Sequence, residues 1–365
     1  MSNLLFYCSE GFLSTPSDIV PGSVLLTGAN GSVGLHAAEY MLVTFPEYTA
    51  IFTVRDASYS DTHTNQLRAV IARFPNARAS IQQLDLSSLA SVHAFADSLV
   101  ATIASGNSPP LSAIICNARY RNLLTGPELT PDDGFDKTFQ VNHLSHAALV
   151  LRLVGSFGPS GGRILVSGDA HDYPGRDPVE VYPPTLGTDL DLLARPPPLS
   201  DGDGVRGRGY QRYANSRLAL TTWCYALNRL LTKQPSLSSI TALAVDPDIF
   251  PDLTRKTPSS PLHWAQLLVS ESLLRLPILR LFYPAPRTVS DAARDYVEMA
   301  LSPRYVGESG FWRLSETGGS TPESLEEGKQ EALWRRTAEW AGIGRGNTVV
   351  EVDAGGVKLS EGEGG

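Results

Sequence analysis

The chain has 365 residues, 42% of them hydrophobic and 19% charged, enough apolar material for one large α/β domain or two small ones. A formal net charge of -8 argues against nucleic acid as a partner, because gripping phosphates needs a basic face. Three scattered cysteines (Cys8, Cys116, Cys224) exclude a disulfide framework and a cysteine zinc site, and fit a reducing, cytoplasmic compartment.

The N-terminus, MSNLLFYCSEGFL, has neither a basic n-region nor a long apolar core. No signal peptide is expected, and residues 1–20 read as an extension. Short β-branched runs then alternate with helical stretches. Strands are predicted at 23–27, 49–55, 80–85, 113–117, 163–167 and 240–246, with helices at 33–43, 89–104 and 139–154 among them. This rhythm predicts an α/β fold with one doubly wound parallel sheet of Rossmann type over residues 21–318, covered by helices on both faces.

The first strand runs into TGANGSVG, Thr27 to Gly34, and opens directly into a helix. Glycines there allow a tight turn and let a pyrophosphate approach backbone amides at the helix N-terminus. The cofactor contacts expected from this loop are Thr27, Gly28, Asn30, Gly31, Ser32, Val33 and Gly34. Arg55 follows at the end of the second strand. An acidic residue there would hold a ribose 2′-hydroxyl, whereas an arginine favours a 2′-phosphate, so NADP(H) is expected over NAD(H). Asp85, at the end of the third strand, can reach the adenine, with Leu86 beside it. Asn117 closes the fourth strand.

The seven histidines show no ligand spacing, and no metal is expected. His143 and His146 read as helix surface or as support behind a site. Residues 171–209 are rich in Pro, Gly and Asp and read as a long loop or insertion. In YANSRLAL beyond it, Tyr213 stands one helical turn before Arg217, so the two share a face. A cation there can depress a phenol's pKa and make it a proton donor or acceptor. The pair alone is weak, since such spacing is common on helix surfaces. Within residues 249–284 the most apolar stretch of the chain runs over 262–283, but Glu271, Arg275, Pro277 and Arg280 in it argue against a membrane span. Residues 249–284 read as a helical lid over a hydrophobic ligand or as a helix pair packed on the core. A C-terminal helix is predicted over 319–346, and the Gly- and Glu-rich tail 347–365 is predicted disordered.

Taken together, these motifs resemble the short-chain dehydrogenase/reductase family, in its retinol dehydrogenase-like and protochlorophyllide reductase-like branch. TGANGSVG is similar to the family's cofactor loop, QLDLSSLASV to its adenine-contacting strand end, and ICNAR to its Asn-Ala-Gly strand. DGFDKTFQVNHLSHAALV resembles the branch's fourth-helix motif and puts Asn142 at the family's catalytic asparagine. The resemblance implies a dinucleotide cofactor and an apolar carbonyl or alcohol substrate, such as a polyketide- or terpenoid-like secondary metabolite. It also implies possible homo-oligomers through the fourth and fifth helices.

Departures cluster where the chemistry is expected. Arg217 replaces the family's lysine, which lowers the tyrosine pKa and holds the nicotinamide ribose, and the two cations are not equivalent. Asp169, in RILVSGDAH, falls at the position of the catalytic serine, with Ser167 two residues earlier as a substitute on the same side of the strand. Arg119 and Asp248 stand where the family has glycines. Three readings stay open. The first is a reductase with Tyr213 as proton donor, Arg217 tuning it and Asn142 organising water. The second is a redox-neutral isomerase, epimerase or cyclase with Asp169 as base and Arg119 or Arg217 stabilising an oxyanion. The third is a non-catalytic dinucleotide-binding protein.

Overall fold

The runs of β-branched and aliphatic residues form the expected sheet. The computed structural model describes residues 21–168, 181–246, 288–313 and 316–351. Eight strands lie in the order β3-β2-β1-β4-β5-β6-β7-β8. They are β1 (Ser23–Thr27), β2 (Thr49–Val54), β3 (Ala79–Gln83), β4 (Leu111–Cys116), β5 (Gly162–Ser167), β6 (Ile240–Asp246), β7 (Gly310–Arg313) and β8 (Glu316–Thr317). All neighbours pair in parallel except β7 and β8. The order reverses between β1 and β4, the switch point at which this architecture opens a crevice at the strands' C-terminal ends.

Strand alternation divides the core into two layers. Leu25, Ile114, Ile164 and Val166 face one side, where α3 (Leu89–Ala104), α5 (Ser145–Leu153), α7 (Val205–Lys233) and α10 (Glu327–Trp340) cover them. Val24, Leu26, Ile115 and Leu165 face the other, under α1 (Ser32–Thr44) and α8 (Val289–Leu301). The short helices α2 (Thr62–Ala72), α4 (Lys137–Phe139), α6 (Asp191–Ala194) and α9 (Pro322–Leu325) complete the chain order.

Most boundaries shift by one or two residues, and four departures from the sequence reading bear on the site or the tail. β3 ends at Gln83, so Asp85 lies in the turn beyond it. The helix expected over 139–154 is broken by a π turn, Gln140–Leu144, which carries Asn142. Such turns recur at functional sites because they re-aim a side chain. Helix α7 starts at Val205, so the last residues of the presumed insertion are helical. The chain also stays packed past Asn347: Val350 is buried, and Thr348 Oγ1 donates to the Leu151 carbonyl at 2.6 Å.

Helix α10 lies over α5 and α7. Trp334 stacks on Trp223 with ring centroids 5.5 Å apart, and Trp340 meets Phe139 edge-on at 5.7 Å. These aromatic pairs fix α10 beyond the area they bury. Among the described residues no helix is long and apolar enough to cross a membrane.

Candidate active site

The loop after β1 is built around a close backbone approach. Gly28 has a φ of 63°, and a Cβ there would lie 2.9 Å from Ala118 Cα. A Cβ on Gly34 would lie 2.2 Å from the Gly28 carbonyl oxygen. Both positions therefore need glycine, and the loop delivers its amides to the start of α1, where Gly31 is the N-cap. Ser32 and Val33 open that helix.

Thr27 and Asn117, both expected cofactor contacts, tie the ends of β1 and β4 together. Thr27 Oγ1 accepts from the backbone amides of Asn117 and Ala118, each at 3.0 Å. The Asn117 amide donates to the Thr27 carbonyl at 2.9 Å. With two amides accepted, the Thr27 hydroxyl proton is left for His146 Nε2 at 3.0 Å, while His146 Nδ1 faces the Asn142 carbonyl at 3.3 Å. Burial pushes His146 down to about 4 and His143 to about 3, so both are neutral. Neither lies on the helix surface; both are fully buried, because α10 and β1 close over α5 and the π turn. His143 Nε2 meets Thr337 Oγ1 of α10 at 2.8 Å. Among the described residues no cluster of His, Cys, Asp or Glu could hold a metal ion.

Around the crevice, Asn30 Nδ2 donates to Asp61 Oδ2 at 3.1 Å and to Thr64 Oγ1 at 2.9 Å, pinning the loop to the start of α2. Arg55 follows β2 with its side chain exposed and, among the described residues, no carboxylate in ion-pair range. Asp85 is half-buried, and its carboxylate accepts from the Ser87 amide and hydroxyl at 2.9 and 2.6 Å. Leu86 is buried, and its carbonyl accepts from Ser145 Oγ at 2.7 Å.

At the opposite end of the crevice, Asn142 grips the loop after β4. Its Oδ1 accepts the Tyr120 amide at 2.7 Å, and its Nδ2 donates to the Tyr120 carbonyl and to Ser216 Oγ, both at 2.9 Å. Ser216 Oγ in turn donates to the Tyr213 carbonyl at 2.6 Å. Both amide hydrogens of Asn142 are thus committed to protein. Its side chain positions the Tyr120 loop against the helix of Tyr213.

Tyr213 and Arg217 come together as their spacing predicts. Both are buried, with Arg217 Nε donating to the Tyr213 hydroxyl at 3.4 Å. Arg217 Nη1 donates to the Ser167 carbonyl at 2.8 Å, which holds the guanidinium at the end of β5. Burial alone would push the phenol up, but the charges of Arg217 and then Arg119 outweigh it and bring Tyr213 down to about 8. Arg121 adds to this, with its guanidinium 5.7 Å from the Tyr213 ring centroid.

Ser167 does not stand in for a catalytic serine. Strand alternation places it on the face of Leu165, and its hydroxyl pairs with Tyr296 of α8 at 2.8 Å. Its carbonyl, not its hydroxyl, serves the site. Asp169, Asp248 and the apolar residues 249–284 lie outside the described residues. Three contributors were not singled out from the sequence: Arg121, Ser216 and Tyr296. The run Arg119-Tyr120-Arg121 is visible in the sequence as two cations flanking an aromatic residue. The partnership of Ser167 with Tyr296 spans 129 positions and leaves no local signal.

A family profile described as "AcuH dehydrogenase domain" matches residues 254–350. Among curated relatives, "Short-chain dehydrogenase iccH" of Talaromyces variabilis is 28% identical, covering 90% of this chain and 98% of its own. Human "Polyprenol dehydrogenase" is 26% identical over 94% of this chain and 92% of its own. In fold, the chain is similar to an NADPH-bound carbonyl reductase from chicken fatty liver. That match has a TM-score of 0.52 at 17% identity and covers 84% of this chain and 97% of the other. With the glycine loop, the switch-point crevice and the Tyr213–Arg217 pair in place, the chain is similar to proteins named short-chain dehydrogenases and reductases.

Proposed function

We propose that this protein is an NADP(H)-dependent oxidoreductase that interconverts a carbonyl and an alcohol, with Tyr213 passing the proton. The observation that carries this reading is a buried phenol held against a guanidinium and brought down to about 8, near the working range of a general acid or base. The residues present fit the cofactor. Gly28, Gly31 and Gly34 leave a backbone cradle at the N-terminus of α1, and Arg55 offers a free cation, among the described residues, for a 2′-phosphate. Asp85 and Leu86 border the place expected for the adenine.

When bound, NADPH supplies the hydride that reduces the carbonyl carbon. Tyr213 gives its proton to the carbonyl oxygen as the alcohol forms, and Arg217 stabilises the phenolate that remains. In the oxidative direction the phenolate takes the alcohol proton. Arg217 keeps the lysine's charge but spends two nitrogens on Tyr213 and Ser167, so it serves the phenol more directly than a ribose. The substrate expected from the sequence, a medium-sized apolar secondary metabolite, rests on residues 249–284 and stays a proposal. Because α10 covers α5 and α7, where family members often pair, we take a single chain as the working unit. The test is NADPH oxidation across a panel of carbonyl compounds by wild type and Tyr213→Phe. Turnover in wild type that disappears in the variant supports the reading, and equal turnover in both overturns it.

A further inference from the structure

The loop that follows β4 carries more charge than proton transfer at Tyr213 requires. Arg119 and Arg121 are both exposed, and among the described residues neither has a carboxylate in ion-pair range. They flank Tyr120, whose side chain turns away: its hydroxyl bonds to Glu128, and Lys137 Nζ sits 4.8 Å from its ring centroid. Both cations bear on the same phenol: the charges of Arg119 and Arg121 each lower Tyr213, and the Arg121 guanidinium lies 5.7 Å from its ring centroid.

The loop is also held rigidly. Asn142 grips both backbone groups of Tyr120 and, through Ser216, the helix of Tyr213. Leu123 packs with Tyr210 and Ala214 of α7, and a Cβ on Gly209 would come 2.6 Å from the Asn122 carbonyl. Two cations with no ion-pair partner among the described residues, on a clamped loop beside a proton donor, form a preorganised anion site, since little ordering remains to be done when the ligand arrives.

We propose that Arg119 and Arg121 form a carboxylate subsite beside Tyr213, and that the substrate is an acidic carbonyl compound anchored there by its carboxylate. Two guanidinium groups suit a planar carboxylate, which takes paired N–H donors, and the anchor fixes the distance from the acid to the reacting carbonyl. The inference rests on Tyr213 as the reacting group, and it deepens that reading by naming a substrate class.

The test uses 4-acetylbenzoate and its methyl ester, which share a ketone and differ in the anion. Binding is followed without cofactor through the ultraviolet absorbance of the Tyr213 phenolate, with Tyr213→Phe as the blank. A seated carboxylate offsets the two cations and must raise the phenol's apparent pKa. The acid is expected to bind at least about tenfold more tightly than the ester, the scale of a charge-assisted contact. The preference is expected to vanish in Arg119→Gln/Arg121→Gln and to survive in the doubly conservative Arg119→Lys/Arg121→Lys. Equal binding of acid and ester overturns the proposal. So does a preference that persists in the glutamine variant, or a glutamine variant that loses NADPH affinity while still preferring the acid. Absence of NADPH oxidation with any ketone would instead count against the reductase reading, because the binding titration needs neither cofactor nor turnover.

Discussion

The two ends of the crevice are built on different principles. At the β1 end the determinants are steric and local: Gly28 and Gly34 are required by backbone contacts under 3 Å, and Thr27 satisfies two amides of the neighbouring strand. At the Tyr213 end they are electrostatic and assembled from afar, with Arg119, Arg121, Arg217, Asn142 and Ser167 converging from four parts of the chain. The steric end keeps the family's pattern, since any side chain there breaks the loop. The electrostatic end departs from it, since a cation can be replaced or added without disturbing the fold. Cofactor binding and chemistry are therefore separable by mutation.

The largest effect that separates them is expected from Tyr213→Phe. Removing the proton donor should lower kcat/KM by about 10²–10⁴-fold while NADPH affinity holds. Loss of both together would show that the two ends are not independent. At the other end, Gly34→Val drives a side chain into the Gly28 carbonyl. It should cost about 1–3 kcal/mol of stability in denaturant titration and abolish NADPH binding. Undiminished NADPH affinity in that variant would contradict the steric account.

Arg55→Gln tests the cofactor choice within the steric end. It should weaken NADPH by about tenfold and leave NADH unchanged, since only the former carries the 2′-phosphate. The subtlest expected effect is a shift in the pH profile. Tyr213 must be protonated to reduce and ionised to oxidise, so reduction should be level below pH about 8 and fall above it, while oxidation rises through the same point. Arg217→Met removes the strongest opposing charge and leaves the upward push of burial. Both inflections should then move to higher pH, and a downward or absent shift would refute the role assigned to Arg217.

The same contrast explains what the sequence could reveal. The parallel sheet was legible because β1, β4 and β5 are buried on both faces and read as continuous apolar runs. The glycine loop and the Tyr213–Arg217 pair were legible because their geometry is fixed over a few residues. Positions were lost where tertiary contact decides. Ser167 carries a hydroxyl of the right kind near the right place, yet α8 supplies Tyr296 to take it. Asn142 is marked by its motif, but its partners in the Tyr120 loop and α7 lie far off in sequence and only the fold shows that its side chain clamps them. His143 and His146 are polar residues on a predicted helix, and only the arrival of α10 and β1 shows that they are buried. The π turn has no propensity signature of its own, so the break in the helix at Gln140–Leu144 was invisible.

The measurement that bears most directly on the central claim is a titration of the purified protein with NADPH, read by nicotinamide fluorescence and thermal shift, with NADH as the control. Tighter binding of NADPH than NADH, with a fluorescence change that puts the nicotinamide in an ordered pocket beside Tyr213, is the expected result. No response to either nucleotide, or stabilisation by NADPH with unaltered fluorescence, would contradict it.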